Sequence, residues 1–184
     1  MGEVIRPARD AEDVAEIARR VDQVVSLAAN FPSWVFRQQS GYVSIVEDRG
    51  VWSSAFGRVV EALAGVYGDV AVRVLFDSRQ RGCGVIDPAM PVEVIDSPWA
   101  AFELSGTDIA RGYAEGVEET SILEARLWVL GSSERWALWC TIELEIGVLL
   151  TPDPVGPWLH DPEVRLWDID EGLTRWCIAG SRLN

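Results

Sequence analysis

One group of side chains in this sequence has the types and order that a cysteine nucleophile needs. Cys83 lies between Gly82 and Gly84, where a thiol could be exposed, and His160, the only histidine, is followed by Asp161. A cysteine attacks as the thiolate, so it needs a nearby base and a third group that orients the base. The residues therefore allow a small hydrolase or transferase. A loop cysteine and an isolated surface histidine are the structural alternative.

A second candidate for chemistry is the pair Glu143 and Glu145. Side chains two residues apart on a strand project to the same face, about 7 Å apart. That separation also suits hydrolysis by paired carboxylates. Two ordinary solvent-facing residues of a strand have the same spacing, so both interpretations stay open.

The rest of the sequence removes most other catalytic chemistry. A single histidine excludes zinc sites that need two, and the absence of lysine excludes a P-loop and a Schiff base. There is no nucleophile elbow and no glycine-rich dinucleotide motif. We therefore predict no metal and no cofactor, and we favour a non-enzymatic protein over an enzyme.

The charge balance limits the class of partner. There are 29 acidic and 16 basic residues, for a formal net charge of -13. Such a protein repels nucleic acid and anionic membranes at long range, so we expect neither as a partner. A basic or neutral protein partner fits better, although acidity that only keeps the protein soluble is the alternative. The oligomeric state is left open.

Composition also indicates the compartment and the source. The three cysteines are widely spaced and odd in number, which is typical of reduced thiols in a cytoplasm. The N-terminus has no apolar targeting segment, and charges interrupt every apolar stretch before it could span a membrane. All basic residues are arginine, which we interpret as a GC-rich bacterial gene.

The local patterns predict a single α+β domain over residues 1–184. Amphipathic spacing predicts helices at 11–29, from Ser53 or Ser54 onward, and at 107–118, with a terminal helix within 166–177. Strands are expected at 70–76 and 101–104, and a hairpin joins 33–36 to 42–46. Residues 77–99 read as a loop with one possible edge strand at 92–95.

The clearest pattern is a long hairpin, about 122–130 and 136–149, at the centre of a mostly antiparallel sheet packed by three to four helices. Apolar residues alternate in both runs. A turn at Ser132-Ser133 would place Leu127 opposite Leu138 and gather the apolar sets on one side. Trp128 and Trp139 then fall on the other side.

That other side is the predicted partner-binding patch. Its members are Arg126, Trp128, Trp139, Glu143 and Glu145, with Thr141 beside them. Aromatic anchors ringed by carboxylates would suit a basic partner, as in immunity-like proteins that neutralise bacterial toxins. Two alternatives remain: another helix covers this side, or the protein is a small-molecule sensor with an aromatic-lined pocket.

Overall fold

The computed structural model describes residues 5–8, 11–27, 35–37, 40–51, 53–77, 99–105, 108–120, 126–141, 146–156, 159 and 161–168. Its elements in chain order are β1 (Ile5–Pro7), α1 (Ala11–Val24), β2 (Tyr42–Glu47), α2 (Asp48–Val51), α3 (Ser54–Tyr67), β3 (Ala71–Asp77), β4 (Trp99–Ser105), α4 (Ile109–Thr120), β5 (Arg126–Gly131), β6 (Ala137–Thr141), β7 (Ile146–Thr151) and β8 (Leu166–Asp168). None of the described helices combines the length and apolarity needed to cross a bilayer.

The strands form one antiparallel sheet in the order β1-β4-β3-β5-β6-β7-β2-β8. An antiparallel sheet with helices against it confirms the α+β class. Helices α1, α3 and α4 form where apolar residues recur at helical spacing. Gly68 ends α3 in the left-handed conformation, at φ 71°, which glycine adopts without steric cost.

Helices lie on both faces of the sheet, so the molecule has two apolar cores. On one face, α2, α3 and α4 pack over side chains such as Val74, Leu138 and Cys140. On the other face, α1 and the residues after it pack over Leu75 and Leu130. Every described residue of β6 and β7 is therefore buried. This differs from the predicted hairpin with one apolar and one polar side.

The predicted arm at 136–149 is not one strand. It divides into β6 and β7, which pair antiparallel, with Thr141 opposite Ile146. The long hairpin is thus a meander of β5, β6 and β7. Alternation continues through residues 142–145, which lie outside the described residues, so the sequence pattern hides the reversal of the chain. As a result Ile146 packs with the α1-side core, although alternation from Leu138 assigned it to the other side.

The β5–β6 register is shifted by two residues from the prediction. Leu127 faces Cys140 instead of Leu138, and Trp128 faces Trp139. The connecting loop is longer than a two-residue turn and includes Glu134 at a positive φ of 57°. A shift by two keeps each side chain on its face, which is why the predicted grouping of Leu127 with Leu138 still holds.

Three other predicted elements differ in extent or partner. Helix α1 ends at Val24 because Val25 forms a bridge with Phe36. The predicted 33–36 to 42–46 hairpin is wrong: β2 pairs with β7 and β8. Residues 166–168 form strand β8, not the start of a helix, and the remainder of that predicted helix lies outside the described residues. The edge strand predicted at 92–95 also lies outside the described residues.

Candidate binding surfaces

The structure buries the two tryptophans of the predicted patch. Trp128 and Trp139 face each other across β5 and β6 and are 0% and 1% exposed. Both belong to the core that α1 and Phe36 cover. They therefore cannot serve as solvent-facing anchors, and the alternative in which a helix covers this side describes the molecule. The physical reason is that a sheet with helices on both faces has no polar side.

The other members of the patch divide into two groups. Arg126 and Thr141 oppose each other two positions along β5 and β6 from Trp128 and Trp139, and therefore lie on the same face of the sheet. Thr141 is buried and Arg126 is partly buried. Glu143 and Glu145 lie outside the described residues. The fold thus places Arg126 on the same sheet face as Trp128 and Trp139, and these two tryptophans lie in the core beneath α1.

Few of the candidate catalytic groups can be examined in the described part of the chain. Cys83 and His160 lie outside it, so a nucleophile and base formed by them stays a prediction. Cys140 is buried in the core. Among the described residues no three His, Cys, Asp or Glu side chains group closely enough to hold a metal ion.

Asp161, the residue proposed to orient His160, has a partner of its own. Arg58 Nε and Nη2 donate to its two carboxylate oxygens at 2.7 and 3.1 Å. This bidentate bond lowers the pKa of Asp161, so the carboxylate stays ionised at neutral pH. The negative charge of Asp161 is therefore paired with the guanidinium group of Arg58.

A different surface, formed by α3, α4 and residues 161–163, carries the concentrated charge. The two helices cross closely because Gly57 lies against the backbone of Ala110: a Cβ at Gly57 would come within 2.3 Å of the Ala110 carbonyl oxygen. The next residue of each helix, Arg58 or Arg111, is exposed beside the crossing.

Each of these arginines is bound by two carboxylates. Arg58 holds Asp161 and also lies 3.6 Å from Glu163. Arg111 Nε lies 2.9 Å from Asp108, the residue before α4, and 3.8 Å from Glu115, four residues further along the helix. Each arginine therefore lies within 4 Å of two described carboxylates, so negative charge exceeds positive charge around both of them.

Seven side chains define what we call the acidic helix face: Arg58, Glu61, Asp108, Arg111, Glu115, Asp161 and Glu163. Five carboxylates and two guanidinium groups give it a net charge of −3. Its members come from α3, from α4 and the residue before it, and from residues 161–163, and each of its two arginines follows a residue of the Gly57–Ala110 contact.

Sequence reasoning missed this face for two reasons. The sequence itself shows that Arg111 is three residues after Asp108 and four before Glu115, which is the spacing of neighbours on a helix surface. Arg58, however, is 103 residues from Asp161, and only the packing of the fold brings them together. The tryptophans drew attention because large aromatic residues are common at interfaces, but they fill cores as well.

The comparisons with known proteins give no guide to function. Set against known protein families, curated proteins and solved structures, the chain matches none of them.

Proposed function

We propose that this protein is a non-enzymatic binding protein that recognises a basic protein partner through the acidic helix face. One observation carries the proposal: both arginines of the face are bound by two carboxylates each, so the surface is left with uncompensated negative charge. A basic partner would meet complementary potential there, which accelerates association and excludes acidic competitors.

The class of partner that suits this chemistry best is a basic toxin, such as a nuclease, whose substrate-binding surface is itself positive. A rigid acidic surface can then block that site by complementarity, as immunity-like proteins do. Four of the five carboxylates of the face lie within 4 Å of one of its arginines before binding, which reduces the side-chain freedom that is lost on association. The face is built on two packed helices, which keeps its geometry fixed.

The decisive experiment pairs this protein with the purified product of the adjacent reading frame. Association is measured by stopped-flow at low and moderate salt for the wild type and for the double variant Glu61→Lys/Glu115→Lys. We expect the association rate of the variant to fall about tenfold or more at low salt, and its salt dependence to weaken. The wild type should inhibit the activity of the neighbouring product more strongly than this double variant does.

The matched control is Glu12→Lys/Glu16→Lys, which makes the same change in net charge at two exposed positions on α1, on the opposite face of the sheet from α3 and α4. It should reduce the rate much less, because its charges lie outside the acidic helix face. Equal loss in both variants would mean that net charge, and not this face, governs association. A neighbouring reading frame that encodes a metabolic enzyme, with no binding, would refute the toxin-neutralising role.

A further inference from the structure

A groove of about 590 Å³ runs beside β8, the last strand of the sheet. It is lined by Arg165, Leu166 and Trp167, three consecutive residues. Successive side chains of a strand point to opposite faces, so three in a row can line one groove only where it follows the strand's edge. Leu166 packs toward one core and Trp167 toward the other. The groove therefore lies along the outer edge of β8.

The other wall of the groove is mainly apolar. Val155 is partly buried, and Leu159 and Val164 are buried in the α3-side core. The volume lies within the range of about 300–1,000 Å³ that is typical of small-molecule sites. Such sites are largely apolar with a few placed polar groups, and this groove has that composition.

Among the described residues that line the groove, Arg165 is the one cation, and no ion pair with another described residue holds it. Arg58 engages Asp161 and Glu163, while Glu47 lines a second, smaller pocket together with Glu163 and Arg165. Arg165 is exposed and forms no ion pair or hydrogen bond with any described residue. In a protein with an acidic excess, an arginine that stays unpaired beside an apolar groove is positioned for an anion that comes from outside.

We propose that this groove binds a small apolar carboxylate, with the carboxylate on Arg165 and the apolar body against Leu166 and Trp167. A guanidinium group binds a carboxylate in bidentate geometry. A more highly charged ligand, such as a phosphate ester, fits less well because the described lining residues include a single cation and the carboxylate Asp161, and because the protein as a whole is acidic. The aromatic ring of Trp167 suits a planar ligand.

The test uses the full-length protein and two probes of the same shape, 2-naphthoate and its uncharged amide, 2-naphthamide, titrated by calorimetry. We expect naphthoate to bind saturably at one site and naphthamide to bind about tenfold more weakly or worse. Arg165→Gln should remove this difference while leaving the weaker apolar binding. Arg19→Gln, which removes an exposed arginine of α1, is the control and should retain the difference.

A second variant tests the groove itself. Val155→Trp should fill part of the volume and weaken both probes equally, with circular dichroism used to check the fold. Equal affinity of the two probes for the wild type would overturn the proposal, as would unchanged naphthoate binding in Arg165→Gln or no saturable binding at all. Arg165→Gln leaves the acidic helix face intact, so such a failure would not bear on the proposed protein partner.

Discussion

Replacing Asp69 with alanine should lower the free energy of unfolding by about 3 kcal/mol. Asp69 follows α3 and accepts hydrogen bonds from the loop between β5 and β6. Its Oδ2 accepts from Trp136 Nε1 at 2.6 Å, and its Oδ1 accepts from the backbone N–H of Ser133 and from the Ser132 hydroxyl. One carboxylate thus ties two distant turns together.

The magnitude follows from burial. Trp136 is fully buried, so its indole N–H would lose the carboxylate acceptor that it has in the fold. A hydrogen bond to a charged group contributes about 1.5–3 kcal/mol, and an orphaned buried donor costs a similar amount. The bonds to Ser132 and Ser133 lie at the surface, where water can substitute, so together they add about 1 kcal/mol.

A double-mutant cycle isolates the bond between Asp69 and Trp136. Asp69→Ala, Trp136→Phe and the double variant are unfolded in urea and followed by far-UV circular dichroism, since the change at Trp136 alters fluorescence. We expect a coupling energy of about 1.5–2 kcal/mol. Asp153→Ala, at an exposed carboxylate on a nearby loop, is the charge-matched control and should be nearly neutral. Coupling below about 0.5 kcal/mol would refute the reasoning.

Three further predictions concern packing and charge. Gly57→Ala should lower the free energy of unfolding by about 1–3 kcal/mol, because the added methyl group meets the α4 backbone. Gly65→Ala is the control: it lies in the same helix with open space around it, and it should be neutral or stabilising in the same urea assay. Trp139→Ala should cost about 3–5 kcal/mol in unfolding free energy, and a value near zero would mean that the side chain is exposed after all. Hydrogen bonds from Arg19 and Arg20 lower the pKa of Glu16 from 4.5 to about 2. The contribution of Glu16 to stability is therefore complete above pH 4.5 and disappears as the pH falls toward 2. Titration of the Glu16 carboxyl carbon by NMR should show this low pKa, and an unchanged pKa in Arg20→Gln would contradict the assignment.

The helices could be predicted from the sequence because each shows its own local pattern of apolar residues. The apolar stripe of α1, with Val14, Ile17 and Val21 on one side, needs no knowledge of what it covers, and the structure places that stripe in a core. Helix α3 and strand β3 follow equally from local spacing and from Gly68. These predictions are confirmed because helix periodicity and capping are properties of neighbouring residues.

The sheet could be predicted from the sequence only in part. Alternation predicts strands, but it cannot reveal that two strands are separate when the residues between them continue the pattern, as they do between Thr141 and Ile146, which pair with each other. It also cannot distinguish registers that differ by two, because both place Leu127 on the same face. The partner of β2 depends on contacts with β7 and β8, which are remote in the chain.

The sequence by itself determined the α+β class, the acidic charge and the absence of most catalytic motifs, because composition and local periodicity carry that information. It also singled out Arg126, Trp128 and Trp139 as neighbours. Only the tertiary structure decided that α1 covers these tryptophans, since the burial of a strand's second face depends on where a helix from another part of the chain packs. For the same reason, pairing over 103 residues joins Arg58 to Asp161 and moves the proposed binding surface to the acidic helix face.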